Sequence, residues 1–368
     1  MARHLYQTEK KTTPIEAARP TLSRQDLESV LDCLIHDNLN TGMVASRLEK
    51  QVAQAMTFKQ VTALNSLGAA YHLALLGLGI GPGDSVLLSV IAPIQAADAI
   101  RYCGATPVLV DIEQNSFHPT SAGYLEKSAA CEQETGKAPV ACILDHTFGS
   151  PARATLEALR AENIPVLEDI TGLIGTEMDD AYAGSRSLVA VCGMSEYDLI
   201  TTGNGGLVIT TDAGIHKKIQ ELRYGAARQP GSLAYDYRLE DFQAAIGLVQ
   251  LSRLGVTLAR RRKIGTRYLE TIRQTDHETY FQNPGLDSFL RFPVLIHKNH
   301  EEIKRYFAAL HIGIDRAISE PLHRLLDLPR MEYPNGERLF RKAIAIPVYP
   351  GLTATNVERI AASLRGLV

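Results

Sequence analysis

Apolar residues change their spacing along the chain, and the changes mark its elements. From Ser23 to Asp37 the residues Leu27, Val30, Leu31 and Leu34 recur at helical spacing behind a serine suited to an N-cap. A second amphipathic stretch runs over 46–56. Between Ser66 and Leu78 the pattern is small and apolar (Ala69, Ala70, Leu73, Ala74, Leu75), which predicts a helix packed tightly on a sheet. Gly79-Ile80-Gly81-Pro82-Gly83-Asp84 then breaks it with a strong turn signal. Beyond this point short apolar runs alternate with helical ones. Strands are predicted at 85–88, 107–111, 139–144, 165–168, 188–191 and 206–210, with helices at 94–103, 122–130 and 154–163. Such alternation predicts an α/β fold whose mostly parallel sheet is covered on both faces.

From Leu239 to Ile272 the pattern is helical, with a break near Gly255. The remainder holds a strand at 290–296, a helix at 301–310, a strand at 343–348 and a helix at 354–364, enough for a small α+β domain. The domains are therefore read as 1–250, large, and 251–368, small and C-terminal. At 368 residues the chain has room for both.

Composition narrows the function classes. A 45% hydrophobic, 21% charged chain with a net charge of -3 carries no like-charge block that calls for nucleic acid. The basic run Arg260-Arg261-Arg262-Lys263 lies in a helical pattern and reads as a solvated helix face. No apolar run approaches the roughly 20 residues of a membrane span. The start is polar within a few residues, so no signal peptide is expected. Five dispersed cysteines without a CxxC pair suggest reduced thiols and a cytoplasmic protein. The histidines lack metal-ligand spacing, and no metal is expected.

Several segments, in order over nearly the whole chain, carry a family likeness. They include Asn40-Thr41-Gly42, Ala70-Tyr71-His72-Leu73, Gly81-Pro82-Gly83-Asp84, Gly104-Ala105-Thr106-Pro107, His146-Thr147-Phe148-Gly149, Val166-Leu167-Glu168-Asp169 and Thr202-Gly203-Asn204-Gly205-Gly206. Tyr237-Arg238-Leu239-Glu240-Asp241-Phe242-Gln243 and Ile346-Pro347-Val348-Tyr349-Pro350-Gly351-Leu352 complete the set. Together they resemble the DegT/DnrJ/StrS nucleotide-sugar aminotransferases. That resemblance implies the fold-type-I PLP-transferase architecture and, because family dimers build each site from both chains, a homodimer.

The same resemblance assigns the positions that hold pyridoxal phosphate (PLP), and most are altered. The lysine that links to the cofactor falls on Asp198, and no lysine occurs between Lys137 and Lys217. A carboxylate cannot take the place of that amine. The phosphate-binding Ser-Gly-Thr becomes Ser66-Leu67-Gly68. A phosphate-binding serine corresponds to Gly193, the stacking aromatic to Pro93, and a polar residue after the ring-nitrogen carboxylate to Gly172. The asparagine reaching the partner's phosphate corresponds to Asp236, where each unit of phosphate charge at ~5 Å would cost about 3 kcal/mol at an effective dielectric of about 20. Asp169 alone is retained.

These changes set the expectation that PLP binding is lost, no cofactor is used, and the chain is a pseudo-aminotransferase. It would act as a partner or scaffold for an active aminotransferase or another biosynthetic enzyme of a sugar-nucleotide or natural-product pathway. Two alternatives stand beside it. One is a cofactor-independent enzyme on a sugar nucleotide, with Asp169, Asp198 and His146 as candidates for acid–base work. The other is a true aminotransferase whose lysine lies elsewhere.

Overall fold

The computed structural model describes residues 13–36, 42–224 and 233–367. Asn40, Thr41 and the expected helix end at Asp37 lie outside them. The main sheet has seven strands: β1 (Gln60–Leu64), β2 (Ser85–Ser89), β3 (Thr106–Val110), β4 (Ala141–Asp145), β5 (Val166–Asp169), β6 (Val189–Gly193) and β7 (Gly206–Thr210). Their order is β1-β7-β6-β5-β4-β2-β3, and only β7 runs antiparallel to its neighbours. The expected mostly parallel α/β sheet is thus present, each predicted strand within a few residues of its place. Strand β1 and a short hairpin at Glu177–Tyr182 lie outside the predicted set.

Each strand alternates its side chains between two buried faces. In β6, Val189 and Val191 enter one apolar cluster while Ala190 and Cys192 enter the other. In β4, Ala141 and Ile143 face one side and Cys142 and Leu144 the opposite one. Burial on both faces is why these strands read as unbroken apolar runs.

Helices α1 (Arg24–Ile35), α2 (Met43–Ala55), α3 (Leu67–Gly77), α4 (Ile94–Tyr102), α5 (Ser121–Thr135), α6 (Arg153–Ala161) and α7 (Ala213–Tyr224) accompany the sheet. Helix α8 (Asp241–Ser252) then bends by 60° at Arg253 into α9 (Leu254–Ile272), slightly before the break expected near Gly255. The domain boundary read at 250/251 falls inside α8. Strands β8 (Phe292–Leu295), β9 (Asp315–Arg316) and β10 (Ala343–Ile346) form the small sheet, in the order β8-β10-β9. Its apolar residues join the same cluster as the main sheet. Among the described residues no single helix is long and apolar enough to cross a membrane, although the bent pair α8–α9 has the length and hydropathy together.

Helix α1 forms where its spacing places it, with Ser23 as its N-cap. Its inward side is polar: Asp26 closes a capping box with Ser23, and its carboxylate takes bonds from Gln250 (2.8 Å) and Arg253 (2.6 Å). The apolar row Leu27, Leu31, Leu34 and Ile35 faces outward and is exposed. Helical spacing identified the stripe, but the stripe does not face this chain's core.

Candidate functional site

Parallel register brings the ends of β4, β5 and β6 to one edge, pairing Asp145 with Asp169 and Asp169 with Val191. Such carboxyl ends are where open α/β sheets hold ligands. Asp169 is buried. Its Oδ1 accepts the Thr171 N–H at 2.7 Å, and its Oδ2 accepts the hydroxyl of the fully buried Tyr71 from α3. Burial raises its pKa, while the Thr171 and Tyr71 bonds favour the ionised form.

Asp198 lies in the turn after β6. Its Oδ2 accepts the Ser195 N–H at 2.6 Å, closing the turn on itself. Gly193 makes room for it: a Cβ there would sit 2.9 Å from Asp198 Oδ2, 3.2 Å from Thr171 Cγ2 and 3.3 Å from Leu67 Cδ2. Burial pushes the Asp198 carboxyl up to about 6, the Asp169 charge adds to this, and Arg291 opposes it. Thr171 joins the two strand ends, its hydroxyl accepting the Gly193 N–H at 2.7 Å.

The other candidate positions divide. Leu67 and Gly68 open α3 behind Ser66, whose hydroxyl caps the helix by accepting the Ala69 N–H. Leu67 brings an apolar side chain to the space over Gly193. Pro93 is the N-cap of α4. Gly172 backs onto Gly149, where a Cβ would fall 2.8 Å from backbone atoms, so no side chain fits there. Asp236 is exposed and ion-pairs with Arg238 at 2.9 Å.

His146 is not available to the acid pair. Its Nε2 donates to Glu168 Oε1 at 3.0 Å and its Nδ1 accepts the Ala152 N–H at 3.1 Å, so both ring nitrogens are committed. Glu168 also takes the Ser187 hydroxyl and the Gly184 N–H. This corrects the reading of His146 as an acid–base candidate: it pins the β4–α6 corner to β5.

Tyr71 and Asp145 escaped the sequence reading. Tyr71 is the one hydroxyl in the apolar run Ala69–Leu75, which was the available signal. Asp145 accepts the Thr147 hydroxyl, and burial, with the Asp169 charge adding to it, raises its pKa to about 6. Beside the Asp198 turn, a cavity of about 70 Å³ opens between Arg19, Tyr197, Arg261, Arg291 and Tyr349. Among the described residues no group of three or more His, Cys, Asp or Glu could hold a metal ion.

The DegT/DnrJ/EryC1/StrS aminotransferase family matches residues 20–365 of the chain. The chain belongs to this family. A GDP-perosamine synthase of Caulobacter vibrioides is 28% identical over 371 residues, covering 95% of this chain and 97% of that protein. Among solved structures, the aminotransferase TlmJ of Streptoalloteichus hindustanus superposes with a TM-score of 0.87 at 24% identity, covering 96% of this chain and 98% of the other. The putative sugar aminotransferase Spr1654 of Streptococcus pneumoniae, in its PLP form, gives a TM-score of 0.85 at 21% identity over 96% and 98% of the two chains. The same protein is also similar in its PMP form, with a TM-score of 0.86.

These findings correct the expectation that no cofactor is used, because the aminotransferase family and neighbours solved in PLP and PMP forms point to pyridoxal phosphate. Altered side chains at several positions, the missing lysine among them, do not by themselves empty a pocket that the whole fold shapes, and Asp169 stands buried at the end of β5 with the Thr171 N–H on its Oδ1. The fit is partial. Asp169 suits the ring, whereas Asp198 offers no amine for covalent attachment, and residues 138–216 contain no lysine.

Proposed function

We propose that the chain acts on a nucleotide-linked sugar, with a pyridoxal-type cofactor held without a covalent bond to the protein. The observation that carries this is Asp198, an acid beside Asp169 at the position where the family resemblance implies a lysine. A bound cofactor of this class supplies an electron sink for the carbon that carries the amine. The chain's own residues orient and move protons. The Thr171 N–H favours the ionised form of Asp169, the form that would face a ring nitrogen, against the burial that raises its pKa. Asp198, with a pKa of about 6, exchanges a proton close to neutrality. Arg19 and Arg291 line the adjacent cavity and supply cations for the phosphates of a nucleotide sugar.

The experiment is a binding isotherm for PLP and for pyridoxamine phosphate, followed by borohydride reduction and peptide mass spectrometry. Saturable binding with no reduced lysine adduct is expected. Absence of saturable binding for both compounds, or a trapped lysine, overturns the proposal.

The outward apolar row of α1 supports association with a second copy of this chain, as the family resemblance implies. Leu31→Glu should shift sedimentation from dimer toward monomer. The same face favours a second reading, in which the chain is the non-catalytic partner of another aminotransferase subunit. Mixing with such an enzyme should then yield a mixed dimer in place of two homodimers. Five unpaired, buried cysteines support a cytoplasmic setting.

A further inference from the structure

A cavity of about 290 Å³ with mixed polar and apolar walls lies between the loop after β3, the start of α6 and the segment that leads into β8. Its lining residues include neither Asp169 nor Asp198. We infer that this cavity is a second binding site, for the ring of a neutral monosaccharide.

Size, charge and the kinds of wall each point the same way. About 300 Å³ is the lower end of small-molecule pockets, which suits one sugar ring and not a nucleotide. The accessible edge of Tyr280, backed by the buried Phe117 at a ring-centroid distance of 5.2 Å, gives the cavity an apolar side against which C–H groups of a pyranose pack. Gln282 and Asn283 bring amides, each offering both donors and an acceptor, as the hydroxyls of a sugar require, while Asn115 adds amide donors, its Oδ1 accepting from Arg338 at 3.4 Å.

The charged groups in the walls are Arg153 and Asp287. The Arg153 guanidinium is committed to Glu157 at 2.9 Å and to Asp179. His118 is uncharged near neutrality, since burial lowers its pKa to about 3. Burial raises the Asp287 carboxyl to about 7, so it can donate as well as accept, and its Oδ2 already takes the Asn283 N–H at 3.1 Å. An anion would find no free cation here, and a cation only one half-protonated acid. A neutral polyol meets donors and acceptors in balance.

The test is saturation-transfer NMR and calorimetry on the full chain with D-mannose and D-glucose, beside glucosamine and glucose 6-phosphate as charged controls. Neutral hexoses should bind with a Kd on the order of 1 mM, and Gln282→Ala with Asn283→Ala should weaken them about tenfold, as expected for lost hydrogen bonds. Both residues are exposed, so the double variant should keep the wild-type melting temperature. Asp198→Asn should leave hexose affinity unchanged. No saturable hexose binding, tighter binding of either charged control, or loss of hexose binding in Asp198→Asn but not in the double variant overturns the inference. None of these outcomes depends on whether the acid pair holds a cofactor.

Discussion

The Tyr71 hydroxyl donates to Oδ2 of Asp169, joining the first core helix to the end of β5 through a fully buried contact. The oxygen it takes belongs to the carboxylate that the proposed function sets against a ring nitrogen. On that proposal Tyr71 and the ring compete for one acceptor.

Tyr71→Phe separates the two uses. Removing the phenol leaves a buried acceptor short of a partner, which should lower stability by about 1–3 kcal/mol. It also frees Oδ2, so pyridoxamine phosphate should bind several-fold more tightly than to the wild type. Denaturant melts and a binding isotherm on the same preparation check both. A weaker isotherm would mean that the hydroxyl supports the ligand.

Asp198 predicts a stability difference with a defined sign. Its folded pKa, about 6, lies above the ordinary 3.8, so the folded state binds the extra proton between those values. Stability from this group is highest below pH 4, falls as pH rises through 6, and is then lower by a constant amount. The shift corresponds to an upper limit of about 3 kcal/mol. Asp198→Asn should therefore be more stable than wild type at pH 8, with the gap closing toward pH 4. Urea unfolding at the two pH values measures it.

Asp198→Lys returns an amine to the turn after β6. The Asp169 charge acts on position 198, so an amine there would sit in the field of that carboxylate. After PLP and borohydride, peptide mapping should find a reduced adduct at position 198 in this variant and none in the wild type. An unmodified position 198 would mean that the turn directs its side chain away from the ring.

His146→Ala tests a structural role. Burial pushes the Glu168 carboxyl up, but the His146, Ser187 and Arg160 contacts outweigh it and hold the group below its ordinary pKa. That stabilisation is present above the ordinary glutamate pKa and is lost as pH falls. Removing the histidine should cost about 3–5 kcal/mol, as for a buried charge that loses a partner. Pyridoxamine phosphate affinity should stay within about twofold of wild type, a difference of under 1 kcal/mol. A variant that melts normally but fails to bind would return His146 to the site.

Much of the fold was legible because periodicity is a local property. Strands buried on both faces read as apolar runs, and most fell within a few residues of their predicted places. Strand β1 was harder to see: Gln60-Val61-Thr62-Ala63-Leu64 is short and mixed, and its place comes from pairing with β7, some 140 residues away. The family was legible too, because its ordered motifs are matters of residue identity and spacing, and so was the absence of a lysine around position 198.

The sequence by itself could not decide which groups meet. His146 looked like a neighbour of two acids until Glu168 and Ala152 took both its nitrogens. Tyr71 looked like packing until its hydroxyl reached Asp169. The spacing of the α1 stripe marked a helix but not which side faces inward, which Asp26 decides through Gln250 and Arg253. In each case the deciding partner lies on another element, and burial makes the choice costly to reverse, since a polar group withdrawn from water must find its partner in the folded chain. Local pattern determines which elements form; only their packing decides which polar atoms are left to do chemistry.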